Sequence, residues 1–268
     1  EVAIWKQIQH RPHKLMSRIS EAMKILIVTK TRSGGGTERH VAKIAEALTA
    51  KVAYTEDGFW RLYRTIRNGR FDIVHFFLPR PYLLGSIACE LAGQHNRIMS
   101  RRSLTVCYQT PLIRFIERLL HRRTRILVGN SPAVVEELRA EAPKADIRLI
   151  RNGVAAEQTA FVKVNGVFQM ICVANAFAYK GHEDLLAAIR QVGPQLPEPW
   201  NLWLVGRGTD KYNSWRVFGL GYRTDVASLL ASSDLFILPS HEEGSSNALL
   251  EAMAAGIPVI ATQTGGNA

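Results

Sequence analysis

Lys24-Ile25-Leu26-Ile27-Val28-Thr29, then Ser33-Gly34-Gly35-Gly36, then apolar residues at Val41, Ile44, Ala45 and Leu48, decide the fold. The first run is apolar and of strand length, the glycines are a turn signal, and the last four positions share one helical face. Strand, glycine loop and helix recur downstream. Residues 71–76 read as a strand, 82–91 as a helix, 97–100 as a strand, 112–122 as a helix and 126–128 as a strand, with 148–153 closing the series. A second series starts with strand 168–174 and continues through helix 183–191, strands 202–205 and 216–219 and helix 225–231. It ends with strand 235–239, helix 247–255 and strand 258–261. Strands alternating with helices predict parallel sheets covered on both faces. The expected fold class is therefore α/β, with two doubly wound Rossmann-like domains. The boundaries read as an N-terminal extension at 1–22, a first domain at 23–153, a linker at 154–167 and a second domain at 168–268. The second is expected to be incomplete, because Gly265-Gly266-Asn267-Ala268 follows a strand where a doubly wound domain ordinarily continues.

The composition fits that class. The chain has 268 residues, 47% hydrophobic and 21% charged, with 20 Gly and 11 Pro, which excludes collagen-like and disordered classes. Its apolar runs fall far short of the ~20 residues a spanning helix needs. Cys89, Cys107 and Cys172 are odd in number and widely spaced, so a disulfide framework and a zinc ribbon both fit poorly and a reducing, cytoplasmic setting is expected. Charge is uneven along the chain. Residues 1–150 hold 26 Lys and Arg against 13 acids, whereas residues 151–268 hold 8 against 10. A basic first half suggests that it faces nucleic acid, a membrane surface or a phosphorylated substrate.

The residues that carry chemistry lie in His241-Glu242-Glu243-Gly244-Ser245-Ser246-Asn247-Ala248-Leu249-Leu250-Glu251. A strand ending at Pro239 delivers this loop and then a helix. The amides of residues 245–248 would point from a helix N-terminus at the carboxyl edge of a parallel sheet, where anionic ligands bind. Glu243 and Glu251 flank those amides and could accept hydrogen bonds from ligand hydroxyls. Carboxylates for sugar hydroxyls and amides for phosphate together describe a nucleotide-sugar. In the plainer alternative, Ser246 caps the helix and the two glutamates are solvated.

At this point the chain resembles the retaining GT-B glycosyltransferases of family 4, whose signature is two glutamates eight positions apart, here Glu243 and Glu251. Further matching pieces are Gly35-Gly36-Thr37-Glu38-Arg39, Asp72-Ile73-Val74-His75, Asn130-Ser131-Pro132, Arg151-Asn152-Gly153, Lys180-Gly181-His182, Leu204-Val205-Gly206-Arg207-Gly208, Leu220-Gly221 and residues 233–240. The resemblance implies two domains facing a central cleft, an acceptor domain followed by a nucleotide-sugar domain. It implies that Glu251 binds the donor ribose, that Glu243 binds a hydroxyl of the donor sugar, and that Gly244, Ser245, Ser246 and Asn247 sit near sugar and phosphate. Lys180 matches the lysine that neutralises the departing diphosphate, where charge grows in the transition state. Asn175, which stands where the family often has an arginine, and Arg207 join the donor site, and Gly35 and Gly36 would let the backbone approach sugar and phosphate closely. Where relatives often carry a histidine after the fourth strand, this chain has Arg102, which cannot act as a base but could bind phosphate or an acceptor anion.

His75 reads as a core histidine, and no Asp-x-Asp signature or metal-ligand spacing occurs, so metal-independent chemistry without a cofactor is expected, the nucleotide-sugar being a substrate. The 112–123 stretch has Leu112, Ile113, Phe115, Ile116, Leu119 and Leu120 on one broad face and Arg114, Arg118, Arg122 and Arg123 largely elsewhere. Such a helix can rest on an anionic bilayer; the alternative is a core-packed helix with a solvated basic face. No nucleic-acid module is present. The expectation is a bacterial hexosyltransferase of polysaccharide or lipopolysaccharide biosynthesis, peripheral on the cytoplasmic membrane face. It would move a sugar from a UDP-linked donor to a lipid-linked or glycan acceptor, with retention. The alternatives are a nucleotide-sugar epimerase of the same fold and a non-catalytic nucleotide-sugar binding module.

Overall fold

The computed structural model describes residues 23–32, 36–104, 110–154 and 166–267. The chain divides into two compact units between Ile150 and Arg151. The expected extension, most of the expected linker, and Gly35 and Cys107 lie outside the described residues.

In the first unit the order is β1 (Ile25–Thr29), α1 (Gly36–Ala47), β2 (Lys51–Tyr54), α2 (Phe59–Gly69), β3 (Ile73–Phe77), α3 (Pro79–Ala92), β4 (Arg97–Arg101), α4 (Pro111–His121), β5 (Ile126–Gly129), α5 (Pro132–Glu141) and β6 (Ile147–Leu149). The sheet is wholly parallel, in the order β2-β1-β3-β4-β5-β6. Every residue of β1 is buried, because helices cover both faces of a parallel sheet. Alternation along the strand divides the core. Leu26 and Val28 pack with Val74, Phe76, Tyr82 and Leu138 on one side, while Ile25 and Ile27 pack with Val41, Ala45 and Phe77 on the other. Each such side chain contributes roughly 1.5–3 kcal/mol on full burial.

The second unit contains β7 (Phe168–Val173), α6 (His182–Val192), β8 (Trp200–Val205), β9 (Val217–Gly221), α7 (Val226–Ala231), β10 (Leu235–Leu238), α8 (Asn247–Ala254) and β11 (Val259–Ala261). Its parallel sheet runs β11-β10-β7-β8-β9. Strand order reverses between β7 and β10 here and between β1 and β3 in the first unit. At such points the loops leaving the carboxyl ends diverge and leave a crevice for ligands.

Three elements are additions to the sequence reading: β2, α2 and α5. β2 is a four-residue edge strand opening on Lys51, too short and polar to register as an apolar run. α5 carries its own start signal, with Ser131 Oγ accepting from the Val134 amide at 3.3 Å and Pro132 in the first turn.

The core-packed reading of the 112–123 helix is overturned. Leu112, Phe115 and Leu119 of α4 are 67%, 59% and 44% exposed, whereas Glu117 is buried to 2% and His121 is also buried. The helix turns Glu117 and His121 inward, while its arginines stay exposed, because β4 supplies a partner. Arg101 Nη2 donates to Glu141 Oε2 at 2.7 Å and to Glu117 Oε2 at 3.1 Å. His121 Nε2 lies 3.5 Å from Glu141 Oε2, and its Nδ1 lies 3.0 Å from the Tyr82 hydroxyl. Against the upward push of burial, hydrogen bonds from His121 and Arg101 hold Glu141 down to about 2. Glu117, His121 and Glu141 converge closely enough to hold a cation. The guanidinium of Arg101 already supplies that positive charge.

Candidate functional site

The crevice between β7 and β10 in the second unit gathers most of the expected site residues. The segment leaving β7 carries Asn175 and Lys180, and the loop leaving β10 carries Ser240 and Glu243. Lys180 Nζ donates to Glu243 Oε1 at 2.6 Å, and Ser240 Oγ donates to the same oxygen at 2.8 Å. Glu243 is buried and Lys180 half-buried. Both bonds land on the same carboxylate oxygen, Oε1.

Backbone contact brings the two loops together. Gly181, at φ +68°, has no room for a side chain: a Cβ there would lie 2.1 Å from the Pro239 carbonyl oxygen. The His241 amide donates to the Tyr179 carbonyl at 2.8 Å. On the other side Gly265, at φ +53°, presses on the Glu243 carbonyl, where a Cβ would come within 1.6 Å, and Thr264 Oγ1 donates to the His241 carbonyl at 2.9 Å. The carboxylate is therefore fixed from two directions.

The loop then enters α8. Ser246 is its N-cap, its hydroxyl accepting from the Leu249 amide at 3.3 Å. The plainer reading of Ser246 is thus right for its side chain, while the neighbouring amides keep the helix-start polarity that favours anions. Gly244 is buried, Ser245 and Asn247 are half-buried, and Glu251 sits half-buried one turn into α8. Asn152 was not singled out as a site residue. Its Nδ2 donates to Asn247 Oδ1 at 2.6 Å and to the Ser245 carbonyl at 3.3 Å, bracing the loop. Its signal was the Arg151-Asn152-Gly153 stretch, which matches the family pattern without pointing to this contact.

Asn175 serves as a tie between loops. Its Oδ1 accepts from the Arg207 amide at 2.9 Å, tying the β7 and β8 loops together. The Arg207 guanidinium lies 5.0 Å from the centre of the half-exposed Tyr222 ring, an aromatic that sequence reading passed over.

Arg102 and Gly36 belong to the first unit. Gly36 opens α1, and Arg102 follows β4 directly. Its guanidinium carbon lies 5.8 Å from the Phe77 ring centre, and its buried Nη2 has no hydrogen-bond partner among the described residues. Burial pulls its pKa down to about 10. Beside it His75 Nε2 and Ser100 Oγ are 2.8 Å apart. Desolvation, then the charge of Arg102, brings His75 down to about 3; the same causes and Lys43 bring His40, in α1, down to about 4. His75 is thus held neutral in the sheet, in keeping with its reading as a core histidine.

Comparison with known proteins agrees with this layout. A family model described as glycosyl transferases group 1 matches residues 168–268, and one described as glycosyltransferase family 4 matches residues 51–158. An Escherichia coli UDP-Gal:alpha-D-GlcNAc-diphosphoundecaprenol alpha-1,3-galactosyltransferase is 27% identical over 240 residues, covering 77% of this chain and 61% of the relative. A Bacillus anthracis N-acetyl-alpha-D-glucosaminyl L-malate synthase is 26% identical over 231 residues, covering 77% of this chain and 60% of its own length. The chain thus spans about three fifths of the length of these relatives. Among solved structures, Anabaena HepE in complex with UDP and glucose superposes with a TM-score of 0.75 at 19% identity, covering 91% of this chain and 82% of that one. WaaG, a glycosyltransferase involved in lipopolysaccharide biosynthesis, gives 0.72 at 15% identity with the same coverage. The fold is that of the GT-B glycosyltransferases, with two parallel-sheet α/β domains. The two family models between them account for most of both units: the second unit carries a group 1 glycosyl transferase domain and the first a glycosyltransferase family 4 domain.

Proposed function

We propose that this chain carries the sugar-transfer chemistry of a glycosyltransferase. It takes a hexose-type sugar from a UDP-linked donor and passes it to a lipid-linked or glycan acceptor, with retention and without a metal. The observation that carries this reading is the Lys180–Glu243 pair, 2.6 Å long, beside the N-terminus of α8 at the switch point of the second sheet. A donor diphosphate would draw the Lys180 ammonium onto its oxygens as leaving-group charge grows. Glu243 would accept a hydroxyl of the donor sugar and Glu251 the ribose hydroxyls, while the amides of residues 244–247 face the phosphates. Attack by the acceptor on the face the diphosphate leaves would retain configuration.

The UDP donor is supported by the UDP-Gal in the name of the Escherichia coli relative and the UDP bound in the Anabaena structure. The lipid-linked acceptor is supported by the diphosphoundecaprenol in that relative's name. The exposed apolar stripe of α4, flanked by exposed Arg114, Arg118, Arg122 and Arg123, suits an anionic bilayer, each basic residue near the surface contributing about 1 kcal/mol. Among the described residues, no helix is long and apolar enough to cross a membrane.

The test is a transfer assay with a panel of UDP-, GDP- and ADP-sugars, undecaprenyl-diphosphate-linked and free glycan acceptors, and EDTA present throughout, the anomeric configuration being read by NMR. Transfer from a UDP-sugar with an α-linked product is expected. Isomerisation of the donor without acceptor would favour the epimerase, and donor binding without turnover the binding module.

A further inference from the structure

Successive residues of β4 and its exit point to opposite faces of the first sheet, and the two arginines there meet opposite fates. Arg101 turns to the α4–α5 side and is neutralised by Glu117 and Glu141. Arg102 turns to the α1 side, the side of Ser100, His75 and Phe77, and finds no carboxylate among the described residues. A buried guanidinium without an anion is costly, and such groups in folded proteins are ordinarily paired. The two histidines that feel its charge, His40 and His75, offer no counter-charge, because both are neutral at physiological pH. Asn130 Nδ2 donates to the Arg102 carbonyl at 3.3 Å, which fixes the backbone, while Asn130 Oδ1 and Thr29 Oγ1, at the carboxyl ends of β5 and β1, are buried with no partner among the described residues. Unused polar atoms thus recur along the carboxyl edge of the sheet, from β1 to β5.

We infer that Arg102, with Ser100 and the start of α1, forms an anion-binding subsite of the first unit that takes a phosphate or carboxylate group of the acceptor, so that the acceptor this chain selects is acidic. The inference rests on the proposed transferase reading for the word acceptor, but the anion site stands on the first unit alone. A guanidinium suits the role because its planar fork holds two oxygens at once, and a neutral histidine beside it can donate or accept without adding charge.

The experiment titrates inorganic phosphate into the whole chain saturated with UDP and follows the imidazole resonances of His40 and His75 by NMR. Both are expected to shift with saturable curves. Arg102→Gln should raise the apparent Kd for phosphate roughly tenfold or more, Arg102→Lys less, as a point charge replaces a fork. UDP affinity, measured by calorimetry, should change less than twofold in Arg102→Gln. Because this substitution removes an unpaired buried charge, its melting temperature should not fall, and Arg102→Lys provides the comparison if it does. Resonances that phosphate does not move, or moves equally in Arg102→Gln, overturn the site. An equal loss of UDP and phosphate binding would assign the anion to the donor and overturn the acceptor assignment. If UDP does not bind at all, the donor reading fails, and the same titration without UDP still decides the Arg102 site.

Discussion

Each unit places a cation beyond the carboxyl end of a parallel strand, and the two are treated differently. At the second unit's switch point Lys180 is already paired with Glu243, so the proposed diphosphate would have to compete for the ammonium and would release the carboxylate to a hydroxyl. At the first unit's edge Arg102 has no counter-charge among the described residues, so an anion would add a partner rather than exchange one. One residue earlier, Arg101 is fully neutralised beneath α4. A basic unit therefore need not be uniformly available to ligands: which arginines can take an anion is decided by the side of the sheet on which each emerges.

The comparison can be broken most sharply at Arg101. Arg101→Met would leave Glu117 and Glu141 buried without their cation, and a loss of about 3–5 kcal/mol in urea unfolding is expected. Arg102→Gln measured beside it should lose little, and equal losses would show that the two arginines are not different after all. In the second unit, Lys180→Ala should reduce kcat by roughly 100- to 1,000-fold in the transfer assay, the range typical of losing one charge-stabilising donor. Gly265→Ala, with its Cβ driven into the Glu243 carbonyl, should cost about 1–3 kcal/mol of stability and weaken UDP binding through the displaced loop.

A pH titration sharpens the comparison further. In the unfolded chain His40 and His75 take a proton near 6.5, but in the folded chain only near 4 and near 3. The unfolded state binds more protons between those values, so the stability these residues contribute is complete above pH 6.5 and declines as pH falls towards 4. Replacing both by Gln should flatten that decline in urea midpoints measured from pH 7 to 4. The smallest expected effect is on folding when the α4 stripe is altered. Leu112→Ser with Phe115→Ser should change stability by no more than about 0.5 kcal/mol, since both are exposed. The same pair should sharply reduce co-sedimentation with vesicles containing phosphatidylglycerol.

Much of the fold was legible because its signals are local. The apolar run 24–29, the helical spacing from Val41 to Leu48 and the loop entering α8 each announce themselves within a dozen residues. α2 escaped because its buried contribution is only Leu62 and Ile66 among aromatics and arginines. The orientation of α4 was not legible for a different reason. Its apolar stripe is the stronger local pattern, and the burial of Glu117 depends on Arg101 in another element and Glu141 in a third. At the candidate site, Glu243, Lys180 and the helix start could be read from spacing and resemblance. The direct Lys180–Glu243 bond, the Asn152 brace and the pressure of Gly265 are tertiary contacts between residues 63, 95 and 22 positions apart, and no local pattern encodes them.

The central claim is that the second unit binds a nucleoside diphosphate through Lys180 and the α8 loop. Calorimetric titration of UDP, GDP and ADP into the chain and into its Lys180→Ala and Glu251→Ala variants tests it most directly. The account predicts binding of UDP above the other two, weakened about tenfold or more by either substitution, as expected for charged hydrogen bonds of about 1.5–3 kcal/mol. UDP binding that both variants retain in full, or no nucleotide binding by the unaltered chain, would contradict it.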